Sequence, residues 1–209
     1  VYEAGTGVFT PEHGGETKRL LYDALDAEIR GIFDRSRSNV LADAASRLRE
    51  GCHLQGNAFN VTLKPNFTTG SERARGIIDD ALVYMLDLLG AAVVAEFDVD
   101  ATAESASAWA RTHYAERDPE IRDVLDTHDE PAAGETRTPP SAVADAFERI
   151  DVAYYEADAA EIGSLELNKR RGVESAFEVL DIDDPFPLVM GDSKSDLRIM
   201  KWIGEAESG

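Results

Sequence analysis

The sequence predicts an α/β protein in two parts, an α+β part over residues 1–161 and a C-terminal α/β part over residues 162–209. In the first part, helical apolar spacing alternates with short half-buried strands. The second part has the order helix, apolar strand, loop and helix, which is typical of an α/β unit. With 209 residues and 43% hydrophobic composition, the chain can bury a sizeable core.

The first hundred or so residues are predicted from periodicity and from helix-end signals. Leu21, Leu25 and Ile29 recur at helical spacing, and Ser71 and Gly90 are a candidate N-cap and a candidate helix end. A half-buried strand is expected where Phe59, Val61 and Leu63 alternate before Pro65. The prediction is helices over 15–34, 38–50, 68–90 and 102–117, with strands over 57–65 and 91–100.

The second hundred residues begin with a loop rich in Pro, Gly and Thr over 127–141. Two strands are expected around the turn-prone "EADAA" at 156–160, and the second of them ends in "SLELN". The run "PFPLVMG" is continuously apolar, which favours a strand buried on both faces of a parallel sheet. Helices are predicted over 141–150, 170–182 and 195–204, and this strand over 185–191.

The charge of the chain is extreme, with 41 acidic against 21 basic residues and a formal net charge of −20. The acids are dispersed rather than gathered in a tail, and Lys is scarce. Such a surface suits a protein kept soluble at high salt, so a halophilic source is expected. The same charge argues against nucleic acid as a partner, since phosphate contacts need a basic face.

The single cysteine, Cys52, excludes an internal disulfide and favours a cytoplasmic location. No apolar run is long enough to span a bilayer, so no membrane partner is expected. The chain opens on Val1 in a stretch that resembles mid-domain sequence, and it stops soon after a predicted helix. We expect both ends to be cut from a longer protein.

The loop "GDSKSD" after the apolar run is the strongest candidate site. Gly191 allows a sharp turn out of the predicted strand, and Asp192 follows at its carboxyl end, where open α/β sheets bind ligands. Asp196 lies about one turn later, so both carboxylates can reach one point. Two carboxylates at such a position suit Mg²⁺, which takes its other ligands from water and phosphate.

The loop has two other interpretations. Gly-Asp-Ser is a common turn, and Ser193 or Ser195 can simply be the N-cap of the next helix. Gly-Asp-Ser can also be the nucleophile turn of a serine esterase, which the sequence disfavours, because such an enzyme needs a histidine after the serine and all four histidines precede Ser193.

The wider segment "SLELNKRRGVESAFEVLDIDDPFPLVMGDSKSDLRIM" resembles the C-terminal part of haloacid dehalogenase-like phosphatases. The likeness is to the branch with a large α/β cap, which includes Cof-type and sucrose-phosphate phosphatases. It covers roughly residues 162–202, in which Lys169 precedes Gly191 by 22 residues. The resemblance implies a Rossmann-like core remnant at 162–209 and an inserted α+β cap within 1–161.

The resemblance also implies roles for particular residues. Lys169 matches the catalytic lysine that neutralises the nucleophile and the transferring phosphoryl group. Asp192 and Asp196 match the acids of the Mg²⁺ site. Ser195 stands where the family usually has Asn, and Arg170 and Arg171 stand where a Gly often follows the lysine. Arg171 is therefore an alternative for the cationic role.

The family's nucleophile, in an Asp-x-Asp after its first strand, has no match upstream of Lys169. "FDVD" at 97–100 lacks the Gly-Thr that follows it in the family and is interpreted as a strand edge with solvent-facing acids. The expected function is a Mg²⁺-dependent phosphatase of a small phosphorylated metabolite, with its nucleophile upstream of this chain. The alternative is a non-catalytic relative or fragment. In the cap, Lys64, Arg73, Arg75 or Arg137 could reach the substrate.

Overall fold

A computed structural model describes residues 7–9, 18–20, 25–47, 51–55, 60–128, 138–186, 188–191 and 194–206. The chain is of mixed α/β class, as predicted, and it divides into two compact units. One unit is Asp26–Ser164, and the other combines Val1–Leu25 with Leu165–Gly209. The assignment of residues 1–161 to a cap and 162–209 to a core stays a prediction.

The described elements follow in chain order. They are β1 Gly7–Phe9, β2 Lys18–Leu20, α1 Ala27–Arg47, β3 Cys52–Leu54, β4 Val61–Pro65, α2 Ser71–Glu96, α3 Ala103–Arg117, α4 Pro119–Thr127, α5 Ser141–Arg149, β5 Ile150–Tyr155, β6 Ala159–Ser164, α6 Lys169–Val179 and α7 Lys194–Ala206. The predicted helices over 102–117, 141–150, 170–182 and 195–204 are confirmed as α3, α5, α6 and α7. No described helix has the length and apolarity needed to cross a membrane.

The larger unit is organised around an antiparallel sheet in the order β3-β4-β6-β5. Val61 of β4 and Val152 of β5 both stand opposite Ile162 of β6, and all three side chains are buried. Thr62 is buried as well and donates a 2.8 Å hydrogen bond to Glu161, so β4 departs from the predicted simple alternation.

Helix α2 is the centre of the hydrophobic core of this unit. It packs against α1, α3 and the sheet. Five of its large apolar side chains are fully buried, namely Ile78, Leu82, Met85, Leu86 and Leu89. Burial of each such side chain contributes about 1.5–3 kcal/mol relative to exposure. The packing of α2 therefore contributes a large part of the hydrophobic stabilisation of this unit.

The strand predicted over 91–100 is wrong, because α2 continues to Glu96. Gly90 does not end the helix. It lies where α3 crosses α2, and a Cβ atom there would collide with the backbone carbonyl of Ala106. Val93 continues the buried face of the helix. Tertiary contact thus overrides both the helix-end signal of Gly90 and the strand preference of the valines.

The end of α2 lies at the "FDVD" segment. Asp98 has a positive φ of 49°, and the Val99 N–H donates to the Val94 carbonyl at 3.0 Å. This is the left-handed turn that commonly ends a helix. Asp98 and Asp100 are exposed, as predicted, but they follow a helix rather than a strand.

The predictions of helices over 15–34 and 38–50 are also wrong in their bounds. A single helix, α1, covers Ala27–Arg47, with Leu25, Ile29 and Phe33 buried at helical spacing. Leu20 belongs instead to β2, which pairs antiparallel with β1. The predicted break between residues 34 and 38 is absent, because the helix continues through them. It begins seven residues after β2, not at residue 15.

The strand predicted over 185–191 is wrong for the described residues of that segment. Phe186, Leu188 and Met190 are 92%, 84% and 86% exposed, and their backbone is not in a strand. A strand needs a neighbouring strand to pair with its N–H and C=O groups. Within the described part of the chain, no strand pairs with this segment.

The segment "SLELN" is a strand only at its first residue. Strand β6 ends at Ser164, and 165–168 form a turn that leads into α6. The Asn168 side chain accepts a 3.0 Å hydrogen bond from the Arg171 N–H and donates one of 3.0 Å to the Leu165 carbonyl. Asn is a preferred N-cap residue, so this local hydrogen bonding favours a turn over continued strand.

The turn between β5 and β6 carries a strained residue that can be tested. Ala157 has a φ of 60°, and the Asp158 N–H donates to the Tyr155 carbonyl at 2.9 Å. A left-handed conformation costs a residue with a Cβ atom roughly 1–2 kcal/mol. We expect Ala157→Gly to raise the free energy of unfolding by about 0.5–1 kcal/mol in denaturant titrations.

A matched control lies in the adjacent strand. Ala153→Gly makes the same chemical change within β5, where φ is not positive. It should lower the free energy of unfolding by about 0.5–1 kcal/mol. Equal destabilisation by both variants would contradict the strain at Ala157.

Candidate functional site

The ends of two helices in the smaller unit form the candidate site. Helix α6 begins at Lys169, directly after its N-cap residue Asn168. Asp196 lies in the first turn of α7, and the two helices contact each other. The start of α6 and the start of α7 therefore meet, although 27 residues separate Lys169 from Asp196.

The central contact is an ion pair between Lys169 and Asp196. The Lys169 Nζ donates to Oδ1 of the Asp196 carboxylate. The Asp196 side chain is 14% exposed and that of Lys169 is 35% exposed. Because the carboxylate is mostly shielded from water, it fixes the position of the ammonium group. The Lys169 side chain as a whole remains partly open to solvent.

Gly191 lies against this ion pair. A Cβ atom at position 191 would overlap the Asp196 side chain. No other residue type fits there unless Asp196 moves away. The glycine that the sequence placed after the apolar run is therefore required for the close approach of the backbone to Asp196.

The other predicted site residues are not placed. Asp192 and Ser193 lie outside the described residues, and of Ser195 only its position in the first turn of α7 is described. Within the described residues, no group of three or more His, Cys, Asp or Glu side chains could hold a metal.

The two arginines after Lys169 both contact acids of their own helix. The Arg171 Nη1 lies 3.7 Å from Glu174 and 3.8 Å from Glu178. The Arg170 Nε donates to Glu174 at 2.8 Å, and its guanidinium lies 5.2 Å from the centre of the Trp202 ring. Arg171 is therefore engaged by acids of α6, whereas Lys169 contacts Asp196.

Two further sequence features have structural roles. In the segment 181–185, with the sequence "DIDDP", Asp181 has a φ of 54° and the Ile182 N–H donates to the Phe177 carbonyl at 3.0 Å, which ends α6. Cys52 is buried, and burial raises the pKa of its thiol to about 11. A thiol of that pKa stays protonated near neutral pH and is a poor nucleophile.

A separate cavity of about 310 Å³ lies in the larger unit, between α2, α4 and the β5–β6 turn. Tyr154 donates to Asp79 within it, and burial raises the pKa of Tyr154 well above its ordinary value. Arg75 pairs with Glu156 at its rim. Of the other cations expected to reach the substrate, Lys64 pairs with Asp158 at 3.4 Å, Arg73 is exposed and Arg137 is outside the described residues.

No protein-family model, no curated protein and no solved structure matches this chain. The roles predicted for Lys169 and Asp196 follow from the motif resemblance, and the structure shows the contact between the two side chains.

Proposed function

We propose that the chain is part of a Mg²⁺-dependent phosphomonoester hydrolase of the haloacid dehalogenase type. The substrate class is a small sugar phosphate or a similar metabolite. The proposal is supported above all by one observation, the ion pair of Lys169 and Asp196 beside Gly191. These residues match three positions of the family motif, and folding brings them together across 27 residues of sequence.

In this proposal, Lys169 stabilises the negative charge on the phosphoryl group. A preorganised cation contributes most where charge develops in the transition state, because it needs no reorganisation during the reaction. Asp196 holds the ammonium group in place, whereas the Arg171 guanidinium lies beside Glu174 and Glu178 of its own helix. The proposal therefore assigns the cationic role to Lys169.

The donor set fits Mg²⁺ in its chemistry. Asp192 and Asp196 would supply carboxylate oxygens, and Mg²⁺ is commonly held by one or two carboxylates together with water and phosphate oxygens. When bound, the ion would act as a Lewis acid and would orient the phosphate.

The nucleophile in this proposal is an aspartate in a segment that precedes Val1. Its carboxylate attacks phosphorus, the alcohol leaves, and water then cleaves the aspartyl-phosphate to release phosphate. Lys169 neutralises charge in both steps. A cytoplasmic location and a halophilic source remain inferences from composition.

The alternative is a non-catalytic relative or fragment that binds metal or ligand without turnover. It is favoured by the exposure of Phe186, Leu188 and Met190 in the segment that leads to Gly191. In either case the 209-residue chain alone is expected to be inactive, because it contains no match to the family's nucleophile.

Phosphate release separates the two proposals. The full-length product of the gene, assayed at high salt with a panel of sugar phosphates, should release inorganic phosphate with Mg²⁺ and lose this activity in EDTA. The 209-residue chain should release none under either condition. A full-length protein that is inactive on the whole panel, or equally active in EDTA, would contradict the proposed function.

A further inference from the structure

His128, at the end of α4, has an acceptor at each of its ring nitrogens. Nδ1 lies 2.9 Å from the carbonyl oxygen of Val124, one turn earlier in the same helix. Nε2 lies 3.0 Å from Oδ1 of Asp80, which belongs to α2. A carbonyl oxygen and a carboxylate oxygen can only accept hydrogen bonds. Both contacts therefore need an N–H from the imidazole.

Neutral imidazole carries one N–H, whereas imidazolium carries two. Only protonated His128 can donate to Val124 and Asp80 at once. The position also favours a cation, because His128 is the C-cap residue of α4 and lies at the negative end of its helix dipole. Neutral His128 must give up one of the two hydrogen bonds.

The surrounding charges act in the same direction. Burial opposes protonation, but the hydrogen bonds to Val124 and Asp80 and the negative charges of Asp80 and Asp79 outweigh it. These acids lie on α2, and α4 itself contributes Asp123 and Asp126 near its end. The net effect is a His128 pKa above its usual value.

We propose that His128 is a proton-dependent clamp that fixes the last turn of α4 to α2. Below the pKa of His128 the clamp is closed, with hydrogen bonds to both helices. As pH rises through that pKa, one bond is lost and the last turn of α4 becomes easier to open. Val124 and Thr127 of this turn line the cavity that also contains Asp79. The protonation state of His128 therefore determines how easily the part of the cavity wall formed by Val124 and Thr127 opens.

The clamp is tested by NMR titration of His128 together with hydrogen exchange of the amides in the last turn of α4, between pH 5.5 and 8.5. We expect a pKa above the reference value of about 6.5. Protection of these amides, corrected for intrinsic exchange, should fall about tenfold through the same transition, as expected for one charge-assisted hydrogen bond.

Two variants separate the clamp from general effects of charge. Asp80→Asn should lower the pKa of His128 and remove most of the pH-dependent protection, because it removes the negative charge beside the imidazolium. The Asp80 side chain is 67% exposed, so the substitution should not unfold the unit. Asp100→Asn makes the same chemical change at an exposed position after α2 and should alter neither quantity. A His128 pKa at or below 6.5, or an unchanged pKa in Asp80→Asn, would overturn the proposal.

Discussion

Lys169→Ala in the full-length protein should lower kcat for phosphate release by about a hundredfold to a thousandfold. This is the usual loss when one preorganised group that stabilises transition-state charge is removed. The loss should fall mainly on kcat, because the lysine acts on charge that develops during phosphoryl transfer. Steady-state kinetics at saturating Mg²⁺ on the best sugar phosphate of the panel provide the measurement.

The matched control for Lys169 is Arg171→Ala. It removes a cation two residues away in the same helix turn, but one that faces Glu174 and Glu178. We expect its kcat to stay within about threefold of the unaltered protein, since a partly exposed pair of this kind contributes little. Retained activity in Lys169→Ala with lost activity in Arg171→Ala would assign the cationic role to Arg171 instead.

Gly90→Ala should destabilise the larger unit by about 2 kcal/mol. A Cβ atom at this position collides with the Ala106 carbonyl, which is backbone and cannot rotate away. Helices α2 and α3 must then separate where α2 is fully buried, and overpacking of this kind typically costs about 1–3 kcal/mol. The free energy of unfolding from urea titration at fixed salt provides the measurement.

The control for Gly90 lies in the same helix. Gly76 is exposed, and a Cβ atom there would meet nothing within 4 Å. Gly76→Ala should therefore raise the free energy of unfolding by about 1 kcal/mol through helix propensity alone. If Gly90→Ala were as stabilising as Gly76→Ala, the close crossing of α2 and α3 would be wrong.

Local sequence signals predicted the elements whose stability is itself local. Helix α5 and helix α7 follow their apolar spacing, and the hairpin of β5 and β6 follows its turn. Asn168 was not predicted as the N-cap of α6, although its residue type is a preferred one. The left-handed conformations of Asp98 and Asp181 were not predicted either, because Gly is the usual residue at such a position.

Elements that depend on distant partners were predicted poorly. Gly90 is a helix-end signal in isolation, and only the approach of Ala106 makes it an interior residue of α2. The apolar residues from Phe186 to Met190 fit a buried strand, but a strand also needs a neighbour to pair with. Residue types along one segment do not specify which other segment meets it.

At the candidate site, too, the residues could be predicted from the sequence but their contacts could not. The motif resemblance singled out Lys169 and Asp196, and their contact required the packing of α6 on α7. The stacking of Arg170 on Trp202 and the contact of His128 with Asp80 had no sequence signal, since each joins residues more than thirty positions apart.

The proposed phosphatase requires a nucleophilic aspartate encoded upstream of Val1. The roughly 60 codons before Val1 in the source gene should reveal it, an interval taken from the layout of the resembling family. We expect these codons to encode an apolar strand that ends in Asp-x-Asp followed by Gly-Thr. A start codon directly before Val1 would leave the protein without this nucleophile and would rule out the proposed hydrolase.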